Sequence, residues 1–260
     1  MVWLESFVLG LVQGVTEILP ISSDGHLAVL QYLWNIPEQV RVNLTAALHL
    51  GTAVALIVFF AGRLREVVRG AFSSEQQERN CNRKLIFMVL VSSLPAVVVG
   101  VLMGELVEHI FTSAKLIGVF FLLNGFLLFA TRYAPKGAKS VNWKEALLIG
   151  LIQSTAILPA ISRSGTTIGL ALLLGISRDQ AFEFSFLLAV PITVGAAIFE
   201  LLRFDFSVIA LGPVILGIVT AGVVGFFMIL FLRRFVLSRW FFLFGFYCWL
   251  VGVAVLLFLR

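Results

Sequence analysis

Six apolar stretches, 44–61, 85–104, 116–131, 181–201, 208–232 and 240–259, dominate the sequence and leave it little choice of surroundings. A helix crosses the hydrocarbon layer of a membrane with about 20 apolar residues, in a range of roughly 17 to 25. No water is present there to bond a free amide, so such runs are expected to satisfy their backbone internally, as helices. With 60% hydrophobic and only 13% charged residues among 260, the chain has too little polar surface to cover a soluble globule. It reads as an all-α polytopic membrane protein, a single integral membrane domain over residues 1–260. The first 19 residues carry Glu5 and lack both a basic start and a small-residue cleavage site, so they read as mature fold rather than a signal peptide. Cys81 falls in a charged loop and Cys248 in an apolar run, which indicates neither a disulfide nor a metal-ligand spacing.

Two further apolar regions, 2–35 and 146–176, are broken near the middle by Pro20 and Pro159, each followed by serine, glycine and charged residues. Half of such a region is too short to cross, so each is expected to be a helical hairpin that enters and leaves on one side. Counting basic residues tests this arrangement. With six crossings, fourteen Lys or Arg fall in loops 62–84, 132–145, 177–180 and 233–239, against Arg41, Lys115, Arg203 and Arg260 on the other side. Cytoplasmic loops collect Lys and Arg, so the first side is expected to be cytoplasmic and both termini periplasmic. The same rule accounts for most of the net charge of +5 without a nucleic-acid partner.

The two broken regions also resemble each other. Shifting the chain by 140 positions places Gly10, Leu11, Gln13, Ile21, Ser22 and Gly25 on identical residues of the stretch 150–166 without a gap. Three spans follow each hairpin, and three is odd, so the second copy starts on the opposite side from the first. The sequence thus predicts an inverted-topology repeat, 1–131 and 141–260, each half one re-entrant hairpin plus three transmembrane helices. Such hairpins meet near the membrane midplane, where substrate sites of this architecture lie.

Ionisable side chains at membrane depth are expensive and mark function. The second tip carries Ser162, Arg163, Ser164, Gly165, Thr166 and Thr167 just before a short helix. Hydroxyl donors, a forked guanidinium and a helix N-terminus suit a phosphate-like anion. In the first tip, Gln13 and Glu17 are four apart, on one helix face leading to Ser22, Ser23, Asp24 and His26. Carboxylates facing a bound phosphate call for a divalent cation between them, and hard oxygen ligands with a polyphosphate suit Mg²⁺ or Ca²⁺. Either serine is a candidate nucleophile, and His26 transfers protons near neutral pH. His49, mid-span, is read either as a cavity residue or as an interhelical hydrogen-bonding group, and Asn124 as interhelical glue. Glu183 is a weaker cavity candidate, and Glu105, Glu108 and His109 are expected in an outer loop. No P-loop or dinucleotide glycine pattern occurs.

These residues carry a family resemblance. Gln13 to Glu17, Ser22-Ser23-x-Gly25-His26, Pro159-Ala160-x-Ser162-Arg163-Ser164-Gly165-x-Thr167 and Phe184-Ser-Phe-Leu-Leu-Ala-Val-Pro191 are similar to the motifs of the undecaprenyl pyrophosphate phosphatase, or bacitracin-resistance, family. The likeness extends over essentially the whole chain in length and span order. It implies hydrolysis of the C55 polyprenyl pyrophosphate to the monophosphate carrier of cell-wall synthesis, in the bacterial inner membrane. It also implies a site open to the periplasm, dependence on Mg²⁺ or Ca²⁺, and a homodimer. Carried over residue by residue, Glu17 binds the cation, Arg163 with Ser162 and Thr167 holds the pyrophosphate, and Ser23 with His26 performs attack and proton transfer. Gln13, Ser22, Ser164 and Gly165 complete the substrate contacts. Many members have Glu at Gln13, Thr at Asp24 and Gly at Ala160, so here Gln13 removes one possible metal carboxylate and Asp24 adds one nearby. The competing reading is a transporter or flippase for polyprenyl phosphate or another anion, which the repeat would also suit. The cluster of Glu17, Ser23 and His26 separates the two, because transport does not require it.

Overall fold

A computed structural model of the protein describes residues 3–111, 113–202 and 210–259. Among the described residues the chain is helical, with no strand beyond an isolated bridge between Lys139 and Ile176. The helices are α1 (Trp3–Ile18), α2 (Ser23–Leu33), α3 (Glu38–Gly70), α4 (Gln76–Phe111), α5 (Ala114–Ala130), α6 (Trp143–Gln153), α7 (Arg163–Leu173), α8 (Arg178–Leu202), α9 (Leu211–Leu237) and α10 (Leu243–Phe258). Short 3₁₀ turns follow α5 at Thr131–Tyr133 and α6 at Ser154–Ile157.

Among the described residues, five helical segments are long and apolar enough to cross a membrane: Glu38–Gly70, Gln76–Met103, Ala114–Tyr133, Arg178–Phe199 and Leu211–Leu237. The sixth expected span, 240–259, forms a helix of only 16 residues. Its start is delayed because the chain reverses through Arg239 at φ 68° and then tucks Phe241 into the core before α10 begins. Helices α3, α4 and α8 run past both limits of their apolar stretches, and α4 continues as helix beyond 104 through the stretch expected to be an outer loop. The side chains of Glu105, Glu108 and His109 lie outside the described residues. So does Arg203.

Neither half of either broken region forms a helix of spanning length, since α1 has 16 residues and α2, α6 and α7 have 11 each. Helix α1 packs on α9 and α6 on α4, while α3 meets α8 and α5 meets α10. Lipid is as apolar as leucine, so close approach rather than hydrophobic sequestration holds such helices together. Glycine provides that approach where α1, α3 and α9 cross. A Cβ on Gly14 would lie 2.8 Å from the Ala221 carbonyl oxygen, and one on Gly51 would strike the Ile218 carbonyl. Larger side chains there would push α9 away from α1, whose last turn carries Glu17.

The core lies to one side of the hairpin tips. Ile18, Leu19 and Ile21 from the first tip join Leu56, Phe60, Phe182 and Phe186, and Phe60 stacks on Phe186 at 5.6 Å between ring centroids. Arg63 donates to Glu183 at 2.5 Å and to Glu66 at 3.1 Å. Glu183 is therefore the partner of a cation near the end of α3 rather than a cavity residue. Large apolar side chains such as Val101, Phe126, Ile198 and Phe227 remain exposed, as expected of faces turned to lipid.

Candidate functional site

Each hairpin delivers polar groups by ending one short helix and capping the next. At the first tip α1 stops before Pro20, which cannot donate an amide to continue it. Ser22 then takes φ 65° while buried, and its hydroxyl accepts from the amide of Gly25 to cap α2. A buried non-glycine residue in the left-handed region costs on the order of 1–3 kcal/mol and persists where the surroundings enforce it. At the second tip, a capping box of Asn142 and Glu145 starts α6, and Ser162 caps α7 by accepting from the amide of Gly165 at 3.1 Å. The left-handed residue there is Ala160, at φ 64° and fully buried. Ser22 and Ser162, matched by the shift of 140, thus do the same job in the two hairpins.

One side chain joins the tips. Asn124, almost fully buried on α5, donates to the Pro20 carbonyl at 3.0 Å and accepts from the Ser162 amide at 3.3 Å. The Ser162 hydroxyl adds a bond of 3.5 Å to the Leu19 carbonyl. These contacts fix the first tip against the second, and the charged groups meet beside them. Arg163 Nη2 donates to Glu17 Oε1 at 2.7 Å, and its Nη1 donates to Thr193 Oγ1 at 3.4 Å. The Ser23 hydroxyl donates to the other Glu17 oxygen at 2.5 Å. His49 Nε2 stands 3.4 Å from Asp24 Oδ1 and 3.8 Å from Glu17 Oε2, so the span residue with two readings lies between the two carboxylates. Glu17 and Arg163 are only 12% and 16% exposed, which places a full ion pair where neither charge could stand alone.

Other expected site residues sit elsewhere. His26 faces α5 and α10: its Nδ1 is 2.7 Å from the Ser22 carbonyl, its Nε2 is 2.8 Å from the Tyr247 hydroxyl, and its ring meets Phe121 edge-on at 5.2 Å. Gln13 is fully buried and donates to Thr52 Oγ1 at 3.4 Å. The Ser164 hydroxyl pairs with that of Ser162 at 3.1 Å, Gly165 serves the cap, and the Thr167 hydroxyl returns to the Arg163 carbonyl at 2.9 Å. Tyr247, 221 residues from its histidine partner, is a site neighbour for which the sequence offers no signal.

A cavity of about 990 Å³ opens over the tips. Glu17, Ser22, Ser23, Asp24, His49, Ser162, Arg163 and Thr193 line its polar part. Ile117, Ile157, Ile192, Phe199 and Leu259 line an apolar part. Glu38, Arg41, Ala114 and Leu259, at ends of α3, α5 and α10, also border it. Glu17 and Asp24 are the cavity's carboxylates and would be the groups to hold a cation, while the unpartnered Gln13 Oε1 is buried one helical turn before Glu17. Among the described residues no group of three or more His, Cys, Asp or Glu is arranged around a metal position. The two carboxylates are hard oxygen groups of the kind a divalent cation would take, with water and substrate phosphate as further ligands.

A polytopic helical membrane protein whose two broken hairpins close a guanidinium–carboxylate–hydroxyl site beneath an apolar cavity is built to handle an anionic amphiphile. The chain belongs to the bacitracin resistance protein BacA family, whose model matches residues 6–254. It is 37% identical over 259 residues to the undecaprenyl-diphosphatase of Methanococcus maripaludis (strain C5 / ATCC BAA-1333), covering 98% of this chain and 100% of that protein. Proteins of the same name from Thermosipho africanus (strain TCF52B) and Geotalea daltonii (strain DSM 22248 / JCM 15807 / FRC-32) are 36% and 37% identical. These alignments cover 96% and 98% of this chain, and 98% of each relative.

The Asn124 bridge makes the site's dependence on tip docking measurable. Asn124→Ala leaves a buried amide and a buried carbonyl without their side-chain partner, at a cost of about 1–3 kcal/mol for each such group. Thermal unfolding in detergent should show a clearly lowered midpoint. An unchanged midpoint would mean that the tips are held without it.

Proposed function

We propose that the chain hydrolyses undecaprenyl diphosphate to undecaprenyl phosphate and phosphate, the activity in its relatives' name, and so recycles a lipid carrier of cell-wall synthesis, as the family resemblance implies. The observation that carries this reading is the bond from the Ser23 hydroxyl to Glu17 at 2.5 Å, with Arg163 of the other hairpin on the same carboxylate at 2.7 Å. A hydroxyl already bonded to a carboxylate is a nucleophile with its base in place. Ser23 Oγ attacks the terminal phosphorus while its proton passes to Glu17. The bond from phosphorus to the bridging oxygen breaks, its electron pair leaving on undecaprenyl phosphate. Arg163, with five donors in a fixed fork, binds the phosphoryl oxygens as charge develops on them. His26 has both ring nitrogens engaged, so attack is assigned to Ser23, and His26 holds the first turn of α2 through the Ser22 carbonyl. The apolar part of the cavity takes the start of the prenyl chain. Transport alone would leave the Ser23–Glu17 pair without a task.

We also assign to Glu17 and Asp24, with Gln13 Oε1 behind them, the binding of Mg²⁺ or Ca²⁺, which when bound offsets the charge of the pyrophosphate. The working unit is taken as a homodimer, on the family resemblance alone. The two hairpins are read as an inverted repeat entering from opposite faces, which is supported by the matching caps at Ser22 and Ser162 and by the paired contacts of α1 with α9 and α6 with α4. The helix ends that border the cavity belong to the side poorer in Lys and Arg, so the site opens to the periplasm and both termini lie there.

Purified protein in detergent with Mg²⁺ should release phosphate from undecaprenyl diphosphate, and EDTA should stop it. Absence of release with either cation in excess would contradict the proposal. Arg163→Lys should lose on the order of 2–4 kcal/mol of transition-state stabilisation, because a point charge cannot replace a planar fork. Retention of more than about a tenth of wild-type kcat/KM, roughly 1.4 kcal/mol, would remove the bidentate role.

Orientation has its own test, in a Cys81→Ser, Cys248→Ser background. Gln39→Cys and Lys115→Cys should react with an impermeant thiol reagent on intact cells, whereas Ser74→Cys and Lys136→Cys should react only after the membrane is opened. The reverse pattern would turn the cavity to the cytoplasm.

A further inference from the structure

The two cap serines do the same job, but only one of them is strained. Ser162 takes an extended φ of −82°, and its carbonyl accepts from the Thr166 amide at 2.8 Å. Ser22 takes φ 65°, and its carbonyl is met at 2.7 Å by a side chain, through His26 Nδ1. The shift of 140 pairs His26 with Thr166. Ser23 follows directly as the first residue of α2, so the conformation of Ser22 sets the direction in which the nucleophile leaves the turn. A left-handed non-glycine residue persists where its surroundings over-determine it, and the His26 ring is the group that reaches its carbonyl.

That ring is itself held from two other helices. Phe121 on α5, fully buried, meets it edge-on, and a Cβ on Gly25 would strike the same phenyl ring, so the start of α2 is seated against α5. Tyr247 on α10 lies nearly parallel to the imidazole, at 14° with centroids 5.7 Å apart, and its hydroxyl is 2.8 Å from Nε2. A carbonyl oxygen only accepts, so Nδ1 carries a hydrogen. In the neutral ring Nε2 is then the acceptor, and the Tyr247 hydroxyl donates to it. The residues that line the cavity include neither His26 nor Tyr247, so neither is placed to touch a substrate. We propose that Tyr247 is a positioning residue for Ser23: its hydroxyl keeps the hydrogen of His26 on Nδ1, and the ring so held keeps Ser22 in the conformation that points Ser23 at Glu17. This inference rests on the diphosphatase reading, in which Ser23 attacks. It gives α10, which contributes no group to the chemistry, a part in shaping the first tip.

Tyr247→Phe keeps the ring against His26 and removes the donor. With undecaprenyl diphosphate and Mg²⁺ in detergent, its kcat should fall by about tenfold to a hundredfold, the scale of misplacing a reacting group by up to roughly 1 Å. KM should stay within about twofold, because the cavity lining is untouched. A kcat within about twofold of wild type, or a loss carried by KM alone, overturns the proposal. The hydrogen itself is read by nitrogen NMR of protein labelled at its three histidines, with the His26 signals identified by their loss in His26→Asn. At about pH 8, where an ordinary imidazole is neutral, His26 should carry hydrogen on Nδ1 and none on Nε2, and the Nε2 signal should move in Tyr247→Phe. Hydrogen on Nε2, or an Nε2 signal that ignores the substitution, equally overturns it. The wild-type spectrum needs neither a folded variant nor a substrate. Failure of the wild-type protein to release any phosphate would instead sink the diphosphatase reading.

Discussion

The structure depends on one charge pair placed where charges are expensive. Glu17 ends a short helix of the first half of the chain, Arg163 begins a short helix of the second, and they meet at 2.7 Å with little exposure. Either group alone in that position would carry an uncompensated charge, and breaking such a pair typically costs about 3–5 kcal/mol. The two hairpins must therefore be docked for either to be tolerated. Asn124, the Ser162 hydroxyl and the glycine-mediated contact of α1 with α9 all hold that docking. Two interrupted helices, each too short to span, become one site because neither is satisfied without the other.

The same pair connects structure to chemistry. A carboxylate held by Arg163 on one oxygen and by the Ser23 hydroxyl on the other binds the groups that an incoming phosphate needs. In the proposed reaction, substrate phosphate takes the guanidinium that otherwise rests on Glu17. His26, by contrast, is engaged on both ring nitrogens, by the Ser22 carbonyl and the Tyr247 hydroxyl.

Much of this was legible in the sequence wherever polarity stood against an apolar background. Glu17 and Arg163 are conspicuous for that reason, and the helix breaks at both tips follow from proline, serine and glycine spacing. The helical membrane character followed from run length alone. What could not be read was set by how distant helices lie against each other. His49 has two readings because its partners, Glu17 and Asp24, belong to the first hairpin and not to its own helix. Asn124 reads as glue, but the sequence does not say that it glues the two tips. Glu183 reads as a cavity candidate from the sequence, but Arg63, 120 residues away, pairs with it. The last apolar run was long enough to span, yet the left-handed turn at Arg239 and the burial of Phe241 leave a helix of 16 residues. Those are tertiary choices with no local signature.

The central claim is that the two hairpin tips form one chemical unit through Glu17 and Arg163. A double-mutant cycle on kcat/KM for phosphate release, with Glu17→Gln, Arg163→Gln and the pair together, measures it most directly. Residues that act as a unit are strongly non-additive, so the double variant should be little worse than the poorer single one. Losses that simply multiply, within the roughly 0.3–0.5 kcal/mol expected of independent sites, would contradict the claim.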